Sequence, residues 1–231
     1  MMRPIIIGVG GAHSGVGKTT YASLLLRKFK GWGAIKYTKT ALYSSVVDES
    51  SILLTEDKDT KRMLDSGAER VLWVQAPPSA LGEVLPMAVE RLSDLKGIVV
   101  EGNSAIEFLR PDIIIFIFGC DPQSIKESGK EILKNADAVI FENSVPSGVS
   151  ERNRLFLKSS DDHENFLAHI AELIENKNAI QALLRERSTN STIPCPLARQ
   201  IAEELHISYQ KVGQTADELG IKIKGCELGC F

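Results

Sequence analysis

With 231 residues the chain has room for one sizeable α/β domain and a small appendage, and its 43% hydrophobic and 25% charged content is ordinary for a globular protein. A formal net charge of −3 gives no global attraction to nucleic acid or to an anionic membrane surface. Four cysteines do not suggest a disulfide scaffold, and the longest apolar run, near Ile113–Phe118, is far too short to span a bilayer; the expected compartment is the cytoplasm, with no membrane partner.

Pro4-Ile5-Ile6-Ile7-Gly8-Val9-Gly10 reads as a buried strand running straight into a glycine-rich turn, with no cleavage-site pattern that would make it a signal peptide. The turn, Ala12-His13-Ser14-Gly15-Val16-Gly17-Lys18-Thr19-Thr20, fits the P-loop, with alanine at the first motif position. The spacing has a chemical reason. Glycines let successive backbone amides curl toward phosphate oxygens, and the helix that begins at Gly17-Lys18 adds its unpaired amides and positive dipole end. Lys18 is placed to reach the β/γ-phosphates, and the Thr19 hydroxyl to hold Mg²⁺.

The first helix is expected over 18–29 and a second strand over 33–37, ending in the polar and cationic Lys36-Tyr37-Thr38-Lys39-Thr40. Residues 41–58 form a long loop containing Asp48 and Glu49. A short helix follows over 59–66, capped by Gly67, then a strand over 70–74 and an amphipathic helix from Ser79 or Ala80 to Leu92 in which Pro86 is a kink position. Gly97-Ile98-Val99-Val100-Glu101 is a continuous apolar run ending in a carboxylate, the place from which a buried parallel strand could deliver an acid beside the Mg²⁺ water shell. Further strands are expected over 112–118, 138–141 and 155–157, with helices over 124–133, 161–175 and 179–187, Asp161 or Asp162 being the N-cap. Asn143, after the strand ending at Phe141, offers an amide that could pair with a nucleobase edge.

Ser188-Thr189-Asn190-Ser191-Thr192 reads as a linker, dividing a nucleotide-binding domain, 1–187, from a small helical domain, 193–231. The tail fits a helix-turn-helix pattern at Ala202, Ile207 and Val212, with His206 in place of the usual turn glycine, a cap at Ser208 and a short alternating strand at 221–224. Its charges, Arg199, Lys211, Lys222 and Lys224 against Glu203, Glu204, Asp217, Glu218 and Glu227, argue for docking to a partner over binding DNA. Cys195, Cys226 and Cys230 cluster in this tail and could form a metal or redox site with His206 or Cys120.

The P-loop, the Ile35-Lys36-Tyr37-Thr38 strand end, the Asp59-Thr60-Lys61-Arg62 to Ser66-Gly67-Ala68 segment and Val100-Glu101-Gly102 together resemble molybdopterin-guanine dinucleotide biosynthesis protein B, over residues 4–145. The resemblance implies a three-layer α/β/α P-loop NTPase fold with a mostly parallel sheet. It also implies a dimeric, Mg²⁺-dependent GTP-binding protein with slow hydrolysis, assisting nucleotide attachment to the molybdenum cofactor or delivery of that cofactor to a partner protein. The family's histidine-rich run is replaced here by Tyr37-Thr38-Lys39-Thr40, no Asn-Lys-x-Asp guanine signature follows Phe141, and the tail is an addition, so ATP stays open beside GTP. Lys18 and Glu101 are the candidates for catalysis, with Thr19, Glu101 and Asp59 toward the metal, and Lys36 and Asp48 toward a second, anionic substrate such as a pterin phosphate. A P-loop small-molecule kinase or synthetase, and a nucleotide-responsive regulator using the tail, are the alternatives from other classes.

Overall fold

The structure, a computed structural model, describes residues 3–48, 58–146, 148–150 and 153–225. It divides into two compact units, Met1–Leu167 and Ala168–Phe231.

In the first unit the described residues form an eight-stranded sheet. Its strands are β1 (Ile5–Gly11), β2 (Trp32–Lys39), β3 (Ser45–Val47), β4 (Val71–Ala76), β5 (Gly97–Glu101), β6 (Ile113–Ile117), β7 (Ala138–Phe141) and β8 (Arg154–Leu157). They lie side by side in the order β3-β4-β2-β5-β1-β6-β7-β8, all parallel except β3, which runs antiparallel to β4 along the edge. The flanking helices are α1 (Lys18–Lys28), α2 (Lys58–Asp65), α3 (Leu81–Glu90), α4 (Asn103–Leu109) and α5 (Glu127–Lys134). This is a three-layer, mostly parallel α/β/α architecture, as expected.

The central strands are apolar because both faces are covered: β1, β5 and β7 are buried from end to end. Alternation along each strand decides what goes where. Ile35 and Tyr37 of β2, Leu72, Val74 and Ala76 of β4, and Ile98 and Val100 of β5 face one way and pack with Leu81, Val84, Leu85 and Ala88 of α3. Lys36 and Glu101 fall on the alternate positions and so share the other face. They are direct partners in the β2–β5 register.

Four local differences from the sequence reading have physical causes. Lys36 lies inside β2, which continues to Lys39, and is buried, not at a strand end. Part of the expected loop, Ser45–Val47, pairs as an edge strand with Trp73–Gln75; Glu49 lies outside the described residues. The short helix α4 follows Gly102, whose φ of 132° allows the sharp exit from β5. The expected helices over 161–175 and 179–187 are one helix, α6 (His163–Arg187), that continues through the polar Asn176-Lys177-Asn178. Asp162 precedes α6, and its carboxylate accepts from the amide of Leu157 at 2.7 Å and the amide side chain of Asn165 at 3.0 Å.

The second unit takes the remainder of α6 together with β9 (Thr192–Pro194), α7 (Cys195–Glu204), α8 (Tyr209–Glu218) and β10 (Lys222–Lys224). The division thus falls within α6, well before the polar stretch read as a linker. That stretch is a tight turn closed by Thr189 and Thr192, with Asn190 and Ser191 in the left-handed region. β9 and β10 pair in parallel, and Ile180, Leu184, Ile193, Ala198, Ile201, Ala202, Val212, Ala216 and Ile221 form the core. The turn between α7 and α8 places His206 at φ 53°, where glycine is usual, and the Ser208 hydroxyl caps α8 by accepting from the Lys211 amide at 3.3 Å. Ion pairs Arg187–Glu204 and Lys177–Glu218, each 2.6 Å, tie α6 to the helix pair. No helix of the described residues is long and apolar enough to cross a membrane.

Candidate phosphate-binding site

The loop between β1 and α1 is fixed at its base by close backbone approach. A Cβ on Gly11 would stand 2.6 Å from Val16 Cγ2 and 2.9 Å from the Ile117 carbonyl oxygen, so only glycine fits. The amide of Ala12 donates to the Ile117 carbonyl at 2.9 Å, and the amide of Lys126 donates to the Ala12 carbonyl at 3.0 Å. Ala12 and Val16 are buried and anchor the loop, while Ser14 and Gly15 are exposed at its crest. Gly17 sits at φ 96° as N-cap of α1 with no side-chain cap. The first-turn amides of Lys18 and Thr19 therefore leave the helix end with no partner inside the helix, the arrangement that binds anions.

Lys18 donates from Nζ to the His13 carbonyl at 2.8 Å, spanning the loop. Burial pushes its pKa below the ordinary lysine value; Glu101 opposes this, while Lys126 and Lys36 add to it and Asp59 opposes it further. The Thr19 hydroxyl, 8% exposed, donates to Glu101 Oε2 at 2.9 Å. Glu101 is itself 6% exposed. Burial raises its pKa, Lys36, the Thr19 hydrogen bond and Lys18 pull it down, and Asp59 raises it. Lys36 pairs through Nζ with Asp59 Oδ2, on the first turn of α2. The structure therefore gathers Lys18, Thr19, Lys36, Asp59 and Glu101 into one electrostatic cluster at the carboxyl ends of β1 and β5, against the interior of β2.

Other candidates fall outside this electrostatic cluster, His13 and Thr20 within the loop and the first turn of α1. Asp48 follows β3, whose antiparallel course carries it away from the carboxyl ends of the sheet, so it is not brought to the cluster. Asn143 is exposed just past β7. Thr20 is half-buried in the first turn of α1. His13 lies across Gly119, and its Nδ1 is 2.7 Å from the Ser14 carbonyl oxygen. Cys195 is buried at the start of α7, whereas Cys226 and Cys230 lie outside the described residues. Among the described residues no group of three or more His, Cys, Asp or Glu is placed to hold a metal ion.

Sequence reasoning missed Asn103. Its Oδ1 accepts from the Gly11 amide at 3.0 Å and its Nδ2 donates to the Gly11 carbonyl at 2.9 Å, so one side chain satisfies both backbone groups where the loop begins. Only its position, two residues past Glu101 on a strand next to β1, could have signalled this.

No family model matches the chain, and no curated protein matches it. Among solved structures, HypB from Helicobacter pylori in complex with nickel is similar at 16% sequence identity and a TM-score of 0.49, over 74% of this chain and 87% of that one.

Proposed function

We propose that this chain is a Mg²⁺-dependent nucleoside triphosphate-binding protein with slow hydrolysis, the nucleotide being GTP. The carrying observation is the Thr19–Glu101 hydrogen bond at 2.9 Å beside Lys18. A hydroxyl and a carboxylate at that spacing can share a hydrated Mg²⁺ while the ammonium neutralises phosphate charge. The residues fit the ion: hard oxygen donors, one of them anionic, beside a loop of backbone amides. In this reading the amides of residues 13–19 cradle the phosphates, Lys18 stabilises charge developing in the transition state, and Glu101 would orient water on the metal. Lys36 meets the γ-phosphate or an anionic second substrate, and Asp59 sets the ammonium's position.

The likeness of the Lys36, Asp59 and Glu101-Gly102 segments to molybdopterin-guanine dinucleotide biosynthesis protein B supports a role in molybdenum-cofactor maturation, with molybdopterin and a cofactor-receiving protein as partners and a homodimer as the working form. The α7–α8 pair, with four positive against five negative side chains from 193 on, fits a protein-docking module.

Calorimetry with Mg·GTP and Mg·ATP on the wild type and Lys18→Ala tests the reading. Binding is expected to vanish in the variant with its circular dichroism unchanged. Full-strength binding by Lys18→Ala would contradict it.

A further inference from the structure

A second polar cluster stands on the same edge of the sheet and is not used by the loop motif. Glu142 follows β7, Lys158 follows β8, and Cys120 lies just beyond β6; the three strands are adjacent and parallel. Lys158 Nζ pairs with Glu142 Oε1 at 2.6 Å, and the Cys120 thiol together with Lys158 holds the Glu142 carboxyl below the ordinary glutamate range. Both charged side chains remain about one-quarter exposed, at 26% and 25%. The amide of Lys158 donates to the Phe141 carbonyl at 2.7 Å, which fixes where the side chain starts. Its alkyl stem then reaches the loop: a Cβ on Gly17 would lie 3.4 Å from Lys158 Cε.

The sheet order places this cluster on the opposite side of β1 from Glu101. A polyphosphate whose metal-bearing end is at Thr19 and Glu101 leads, at its other end, away from Glu101 and across the start of α1. There it meets the Lys158 stem, an apolar strip on which a planar ring can lie, with the Glu142 carboxylate beyond it.

We propose that Glu142, held by Lys158, reads the nucleobase and selects guanine. This rests on the reading that the loop binds a nucleoside triphosphate. An ionised carboxylate only accepts hydrogen bonds. Among the four bases, guanine alone presents two neighbouring donors on one edge, N1–H and the 2-amino group. Adenine and cytosine place a ring acceptor beside their amino group, and uracil sets its single N–H between two carbonyls; each turns a lone pair toward the carboxylate. Discrimination comes from that mismatch, with no Asn-Lys-x-Asp segment required.

The test is calorimetry of the wild type, Lys18→Ala and Glu142→Gln with Mg·GTP, Mg·ATP, Mg·XTP and inorganic tripolyphosphate. The wild type is expected to prefer GTP to ATP by about tenfold or more, the usual worth of a two-point base contact. Glu142→Gln is expected to lose that preference and gain affinity for XTP, because a carboxamide can donate to the 2-oxo group while accepting from N1–H. Tripolyphosphate affinity should not change. Equal binding of GTP and ATP by the wild type overturns the proposal, as does an unchanged GTP/ATP ratio in Glu142→Gln. A parallel loss of GTP and ATP with tripolyphosphate retained places Glu142 on the ribose and also overturns it. If the wild type binds neither tripolyphosphate nor any nucleotide, or Lys18→Ala binds them as well as it does, the phosphate-binding reading has failed and this one falls with it.

Discussion

The hydroxyl of Thr19 and the carboxylate of Glu101, 82 residues apart in the chain, meet at 2.9 Å with both side chains buried. Burying an ionised carboxylate costs stability, which its neighbours Lys36 and Lys18 offset only in part, since the net shift of its pKa is upward. The sign of the linkage follows. Stability from Glu101 is fully present below the ordinary glutamate value and is lost as pH rises through its raised folded value. Glu101→Gln keeps the shape and can keep a partner for Thr19 but carries no charge. At neutral pH the variant without nucleotide is expected to be more stable than wild type, by roughly 0.5–2 kcal/mol, with the gap closing toward acid pH. Its affinity for Mg²⁺ in the nucleotide complex should fall about 10–100-fold. Thermal unfolding across pH and Mg²⁺ titration at fixed nucleotide measure the two effects. A variant less stable than wild type at every pH would show that the charge is not a cost.

Asn103→Ala leaves the amide and carbonyl of Gly11 without their side-chain partner in a buried setting. The expected loss is about 1–3 kcal/mol, the cost of stranding a buried polar group, together with weaker nucleotide binding because the loop loses its anchor. Asn103→Asp retains an acceptor for the amide but sets an anionic oxygen against the Gly11 carbonyl, and should be no better. Denaturant unfolding and nucleotide titration of both variants check this; unchanged stability in both would remove the clamp from the account.

Tyr21, in α1, is packed edge-on against His163 and Phe166, and its hydroxyl has no partner among the described residues. Burial first, then Asp162 and Glu142, push its pKa up to about 12. Stability from the neutral phenol is therefore complete below the ordinary value of 10.0 and is lost as pH rises from there through about 12. Ultraviolet titration should show the Tyr21 phenolate appearing only as pH approaches about 12, with Tyr37, which burial also raises, above the ordinary value, and Tyr21→Phe should lose the Tyr21 component while keeping that of Tyr37. A complete titration of all four tyrosines near the ordinary value, in protein still folded by circular dichroism, would contradict it.

The parts of the site that could be read from sequence are those whose chemistry is local. The P-loop is a backbone conformation imposed by Gly11, Gly15 and Gly17 within a few residues, and Glu101 announces itself as an acid ending an apolar run. Lys36 was legible as a charge but not as a buried one, because its burial depends on β2 lying between β4 and β5. Asn103 and the Glu142–Lys158 pair were illegible for the same reason: each needs to be known as a spatial neighbour of a distant strand. Among the elements, α4 has only seven residues and no capping side chain, and α6 crosses a polar stretch that propensity alone reads as a break. In both cases packing, which a linear reading does not see, overrides the local preference.

The position of β1 bears on how the molecule is made. Its two neighbours, β5 and β6, arrive only at residues 97–101 and 113–117, and β1 is hydrogen-bonded to both. The loop motif emerges early from the ribosome, yet the carbonyl of Ile117 and the side chains of Asn103 and Glu101 that shape it follow about a hundred residues later. Such long-range closure is slow and comes late. The cradle is thus a product of completed folding, and a nascent chain short of β6 carries the motif without its binding geometry.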